Sequence, residues 1–123
     1  MYTVGIQVTF SAAHYHPGAE PECERLHGHN YRVEVTAEAE RLRGGMVTDF
    51  LELSRWAEET VKDWDHRLLN ETADFRELPP TTENISRLIF QKLSRKFPRG
   101  RRCLRRVKVW ETDNCWAAYS EER

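Results

Sequence analysis

Cysteine is scarce in this sequence: Cys23, Cys103 and Cys115 are odd in number, far apart and never spaced as C-x-x-C. That excludes a disulfide framework and a cysteine-rich zinc finger, and it suits a reducing cytoplasm. An excess of positive charge is lacking too. Lys plus Arg number 19 against 20 Asp plus Glu, for a net charge of -1, so neither nucleic acid nor an anionic membrane surface is expected as a general partner. No apolar run approaches the roughly 18 residues of a membrane span, and the start, Met1-Tyr2-Thr3-Val4-Gly5, has no charged segment leading into an apolar one. Internal repeats and low-complexity tracts are also missing. With 123 residues, a single soluble, cytoplasmic domain spanning 1–123 is expected.

What is present is alternation. Val4, Ile6, Val8, Phe10 and Ala12 are apolar while Thr3, Gln7, Thr9 and Ser11 are polar, the period of a half-buried strand. His14 shares the apolar parity. After a Pro/Gly loop that includes His16, expected to lie in solvent, the pattern resumes as His27, His29, Tyr31, Val33, Val35 and Ala37 against Asn30, Arg32, Glu34, Thr36 and Glu38. Side chains two apart in a strand share a face. An antiparallel pairing of these two strands therefore brings His14, His27 and His29 together at one end of the buried face.

Gly44-Gly45 marks a turn, and Asp49 with Glu52 three residues on reads as a capped helix start. Phe50, Leu53, Ala57, Val61 and Trp64 form the apolar stripe, with an end near Asp65-His66. Asn70 to Pro80 reads as loop. Thr81 or Thr82 caps a second helix with the stripe Ile85, Leu88, Ile89, Leu93 and Phe97, closed by Pro98 and Gly100. Arg105, Val107, Val109 and Glu111 then share one face of a third strand. Thr112-Asp113-Asn114 turns into a fourth, Cys115 to Tyr119, and the charged end beyond it is expected to fray. Strands grouped apart from helices favour α+β: a four-stranded antiparallel sheet with two helices on one face.

A histidine on an apolar face is ordinarily a hydrogen-bonded core residue, but three converging on one face suggest a metal pincer. Neutral nitrogen donors favour zinc or another late transition metal over magnesium or calcium. Cys23 sits between Glu22 and Glu24 rather than in an apolar run, so its thiolate is available as ligand, nucleophile or base. Asp65-His66 reads either as a helix-end dipole partner or as an oriented proton carrier. Glu111 on a buried face is costly unless a ligand with N–H donors meets it. Cys103 and Cys115 read as structural.

The segments Phe10-Ser11-Ala12-Ala13-His14, Cys23-x-x-x-His27-Gly28-His29-Asn30-Tyr31, Met46-Val47-Thr48-Asp49-Phe50, Asp65-His66-x-x-Leu69-Asn70, Pro80-Thr81-Thr82-Glu83-Asn84 and Glu111-Thr112 resemble, in order and along nearly the whole chain, the 6-pyruvoyltetrahydropterin synthase superfamily. A cysteine separated from H-G-H by three residues is similar to the branch of 6-carboxy-5,6,7,8-tetrahydropterin synthases of queuosine and 7-deazapurine biosynthesis. The pyruvoyl-forming branch has a longer gap, and a third branch, which replaces a folate-pathway aldolase, carries a glutamate near the cysteine's place.

The resemblance implies a tunnelling fold whose sheets join into an oligomeric barrel, a homohexamer built from two trimers with active sites between subunits. It implies conversion of 7,8-dihydroneopterin triphosphate to 6-carboxytetrahydropterin, acetaldehyde and triphosphate. It also implies roles: His14, His27 and His29 as zinc ligands, Cys23 as the proton-abstracting base, Asp65 and His66 as a proton relay, and Glu111 as the pterin anchor or a relay member. Thr82 and Glu83 become pterin contacts. The alternatives are a triphosphate-eliminating 6-pyruvoyltetrahydropterin synthase and a zinc- or pterin-binding module without catalysis.

Overall fold

The computed structural model describes residues 1–18, 20, 25–97 and 103–121. The two alternating segments form long strands, β1 (Tyr2–His14) and β2 (His27–Ala39), paired antiparallel from Tyr2 opposite Ala39 to His14 opposite His27. The parity holds throughout. Val8, Phe10, Ala12 and His14 of β1 and Tyr31, Val33, Val35 and Ala37 of β2 are buried on one face, and the polar residues of both strands occupy the other.

Gly44 and Gly45 adopt φ of 57° and 78°, left-handed values that cost a glycine little, and they return the chain toward the first helix, α1 (Phe50–Val61). Asp49 caps it, its carboxylate accepting from the Leu51 and Glu52 amides at 2.8 and 3.4 Å, which satisfies donors that have no partner inside the helix. Leu53, Ala57 and Val61 face the core. Phe50 does not: at the helix's first position it is 56% exposed. The helix also stops sooner than its stripe, because Val61's carbonyl takes both the Trp64 and Asp65 amides in a closing turn. Trp64 is still fully buried, its indole donating to Asp74 at 3.0 Å.

The connection between the helices holds a short strand just before Asn70 and 3-10 turns within the stretch expected to be loop. Arg67–Leu68 forms β3, a two-residue strand running parallel to β1 opposite Ala12 and Ala13, followed by 3-10 turns at Leu69–Glu71 and Ala73–Phe75. The sheet thus has five strands rather than four, in the order β3-β1-β2-β4-β5, where β4 is Leu104–Trp110 and β5 is Trp116–Tyr119. The second helix, α2 (Thr82–Ser94), is capped by Thr81, whose hydroxyl accepts from the Asn84 amide. That leaves Thr82's side chain for other work. Ile85, Ile89 and Leu93 join Leu53, Ala57 and Val61 in one core against the sheet, so both helices cover the same face. Pro98 and Gly100 lie outside the described residues.

One parity reading fails. Arg105 is 45% exposed and meets Glu38 at 3.4 Å, while Leu104 is buried. The register between β2 and β4 shifts at Thr36/Ala37, where Arg106 pairs with Thr36 and Leu104 with Ala37; the extra residue is Arg105, and a bulge turns it off the ladder. Beyond the bulge Val107 and Val109 are buried as expected. Thr112 closes the turn to β5, its hydroxyl accepting from the Asn114 and Cys115 amides. Among the described residues no helix is long and apolar enough to cross a membrane.

Candidate metal centre

The register of β1 and β2 does the main work of assembly. His14 lies opposite His27, and His29 opposite Ala12, so the three rings meet edge to face with centroids 4.5 Å apart for His14 and His27, 4.8 Å for His27 and His29, and 5.2 Å for His14 and His29. One nitrogen from each lies within 4.8 Å of the others. His14 is 1% exposed. The other two rings are half-buried.

The hydrogen bonds fix which nitrogens are free. His14 Nδ1 is 2.9 Å from the Pro80 carbonyl and His27 Nδ1 is 2.7 Å from the Arg25 carbonyl. A carbonyl only accepts, so in each ring Nδ1 carries the proton and Nε2 keeps its lone pair. His29 Nε2 is buried and has no hydrogen-bond partner among the described residues. Buried polar atoms are normally satisfied, and metal-bound histidines normally donate their other ring N–H to a carbonyl or carboxylate. The orphaned nitrogen and the two locked tautomers together fit a cation held by His14, His27 and His29.

Glu111, 28% exposed, stands just past the end of β4 with Oε1 3.4 Å from His14 Nε2 and 3.8 Å from His29 Nε2. Thr82, at the first turn of α2, donates its hydroxyl to that oxygen at 3.2 Å. Tyr31 closes the buried side, its hydroxyl 3.2 Å from His14 Nδ1 and its ring stacked on Phe10 at 4.8 Å. Burial pushes the Tyr31 phenol well above its usual range, so it stays neutral. Glu83 is exposed on the same first turn of α2. Cys23 lies outside the described residues.

His16 departs from expectation. It is half-buried rather than in open solvent, its ring edge-on to His14 at 5.1 Å. Asp65 and His66 form a separate pair beside Ser11 of β1, immediately before β3. The Ser11 amide donates to Asp65 Oδ1 at 2.9 Å, His66 Nδ1 donates to the same oxygen at 3.0 Å, and the His66 amide donates back to the Ser11 carbonyl at 2.6 Å. These bonds, the Ser11 amide first, hold the Asp65 carboxyl below its ordinary range. They also retain His66 at φ 60°, a conformation that non-glycine residues adopt only when their surroundings demand it. The imidazole is 81% exposed. It flanks a groove of about 460 Å³ that Ser11, Ala13, Gly28 and Asn30 also line, and no hydrogen bond joins Asp65 or His66 to the three histidines among the described residues.

Pro80 reaches His14 through its main-chain carbonyl, a contact that side-chain periodicity does not mark. Tyr31 was legible as a buried-face residue by parity, but its contact with His14 was not.

Burial holds His14 and His29 below the ordinary imidazole value of 6.5, a shift that Glu111 partly offsets. The unfolded chain therefore binds protons that the fold refuses. The stability these residues contribute is fully present above about 6.5, the unfolded value, and is lost as pH falls through their lowered folded values. The melting temperature of metal-free protein should fall between pH 7 and pH 5, and fall less in a His14→Gln/His29→Gln double variant. Parallel profiles would contradict two imidazoles that desolvation keeps neutral.

Comparison with known proteins agrees with this architecture. The family model described as 6-pyruvoyl tetrahydropterin synthase matches residues 3–122. An Archaeoglobus fulgidus protein named "Putative 6-carboxy-5,6,7,8-tetrahydropterin synthase" is 42% identical over 93% of this chain and 91% of its own. The dihydroneopterin monophosphate aldolase of Pyrococcus furiosus is 39% identical over 85% of each chain. The 6-carboxy-5,6,7,8-tetrahydropterin synthase of Synechocystis is 36% identical over 100% of this chain and 96% of its own. Among solved structures, the 6-pyruvoyl tetrahydropterin synthase of Caenorhabditis elegans superposes with a TM-score of 0.84 at 27% identity, covering 98% of this chain and 96% of that one. With the family pattern running almost end to end and the fold shared, the chain belongs to the 6-pyruvoyl tetrahydropterin synthase family.

Proposed function

We propose that this protein is a zinc-dependent 6-carboxytetrahydropterin synthase, a carbon–carbon lyase converting 7,8-dihydroneopterin triphosphate to 6-carboxy-5,6,7,8-tetrahydropterin, acetaldehyde and triphosphate in cytoplasmic queuosine and 7-deazapurine biosynthesis. The observation that carries the reading is Cys23-x-x-x-His27-Gly28-His29 running into a strand whose register sets His27 opposite His14. The curated relatives named for this activity support the branch.

His14, His27 and His29 would hold the zinc, which supplies Lewis acidity toward hydroxyl oxygens of the substrate side chain. Cys23 takes the first proton as base. Asp65 keeps Nδ1 of His66 protonated and aimed, so that the ring's other nitrogen carries the second proton. Glu111 presents acceptor oxygens to the amino and N3–H edge of a pterin, while Thr82 orients it and Glu83 borders the ring. Asp65 and His66 lead directly into β3, the strand at that edge of the sheet. In a homohexamer of two trimers, edge strands of neighbouring subunits pair, and the relay of one subunit serves the triad of another.

The test is mass spectrometry of products after zinc-loaded protein meets 7,8-dihydroneopterin triphosphate. Acetaldehyde with 6-carboxytetrahydropterin is the expected pair. A pyruvoyl pterin with released triphosphate would move the protein to the pyruvoyl branch, and bound but unconverted substrate would make it a binding module. The aldolase branch is a second reading, favoured by the Pyrococcus furiosus relative and by Glu22 and Glu24 beside Cys23; its substrate would be dihydroneopterin monophosphate, run in parallel.

A further inference from the structure

The segment between β3 and α2 grips the end of β1 at successive points. Arg67 and Leu68 pair with Ala12 and Ala13, and Pro80's carbonyl accepts a hydrogen bond from His14 Nδ1. Between them lies Asn70, in the 3-10 turn Leu69–Glu71. Its carboxamide accepts from the Tyr15 amide at 3.1 Å and donates to the Tyr15 carbonyl at 3.0 Å. This two-way bond is what a neighbouring strand would offer, made 55 residues away in sequence. The ladder with β3 ends at Ala13, so the Asn70 side chain continues it past His14.

We propose that Asn70 is a positioning residue for the metal centre, clamping the backbone on the far side of His14 so that the ligand ring stays seated between the ladder before it and the clamp after it. The inference rests on the metal-binding reading of the triad. Leu69 is fully buried and its carbonyl accepts from both the amide and the hydroxyl of Thr72, so the turn that presents Asn70 is itself rigidly anchored. His14 is followed by Tyr15 and then His16, whose ring leans on His14. Releasing Tyr15 would loosen all three. Only Asn supplies both an acceptor and a donor at this reach; Asp keeps the acceptor but faces the Tyr15 carbonyl with a second oxygen.

The experiment measures cobalt(II) affinity by competition with a chromophoric chelator, together with the visible absorption of the bound ion. Wild type, Asn70→Asp and Asp74→Ala are compared. Asp74 lies on the same segment and holds Trp64 and Lys92, so its loss weakens that segment without touching Tyr15. Asn70→Asp should lose about 10- to 100-fold in affinity, the range seen when partners of metal-bound histidines are removed, and its visible band should weaken. Asp74→Ala should stay within about twofold of wild type. Should Asn70→Asp fail to fold, Asn70→Ser removes both contacts without adding charge. Equal affinity in wild type and the Asn70 variant overturns the inference, as does a loss in both variants that merely follows their melting temperatures. A wild-type protein that takes up no cobalt or zinc overturns the metal reading itself, which is a different result.

Discussion

Cys23→Ala should lower turnover of 7,8-dihydroneopterin triphosphate by about 10²- to 10⁴-fold, the usual contribution of a positioned acid or base, while zinc content stays at the wild-type level. The reasoning is chemical. Three neutral imidazoles already provide the donor set of a catalytic zinc site, which keeps one position open for substrate. A thiol four residues before His27 is then better used as a base, since a cation beside it would favour the thiolate. Product analysis and metal content must be read together. If zinc is lost with activity, Cys23 is a ligand. If activity survives this change but disappears when Glu22 or Glu24 is replaced by Gln, the aldolase reading takes over. A catalytically silent module predicts neither effect and retains both metal and pterin.

Much of the centre could be read from parity. Period-two alternation placed His14 on the same face as Phe10 and Ala12, and His27 and His29 on the face of Tyr31 and Val33; antiparallel pairing of consecutive strands did the rest. Parity fails where the ladder itself is irregular. Arg105 carries the right parity for burial but sits at a bulge, and a bulge inserts one residue without any mark in the alternation. The two residues of β3 are too few to show any period, and what builds that strand is the bonding of Asp65 and His66 to the Ser11 main chain. Phe50 satisfies the helical spacing, yet at the first position of α1 it projects beyond the core and is exposed. His16 in a Pro/Gly loop looked solvent-bound. Asn70 bonds the main chain of Tyr15, the next residue back, and the His16 ring lies edge-on to His14. Supports of this sort are side-chain bonds to main chain 55 residues away, and periodic side-chain patterns do not record them.

His14→Ala and His27→Ala should both abolish tight zinc binding but differ in what they do to the metal-free fold. Closed four-ligand zinc sites bind with about 10–16 kcal/mol, or about 2.5–4 kcal/mol per ligand, so removing one of three should weaken affinity by about two to three orders of magnitude. The apparent loss applies equally to both. Without metal, however, the residues are unlike. His14 is 1% exposed, and its ring satisfies the Pro80 carbonyl and packs against Tyr31; truncation leaves a cavity and a carbonyl without its donor, at a cost of about 1–3 kcal/mol for the unsatisfied group alone. His27 is half-buried at the strand's start, and its partner, the Arg25 carbonyl, lies in an exposed segment where water can replace the ring. Chelator-treated His14→Ala should therefore melt several degrees below wild type, with chelator-treated His27→Ala close to it, as measured by thermal unfolding alongside zinc titration. Equal destabilisation by the two variants would mean that the buried contacts of His14 do not support the fold, and retention of tight zinc by either would remove that histidine from the ligand set.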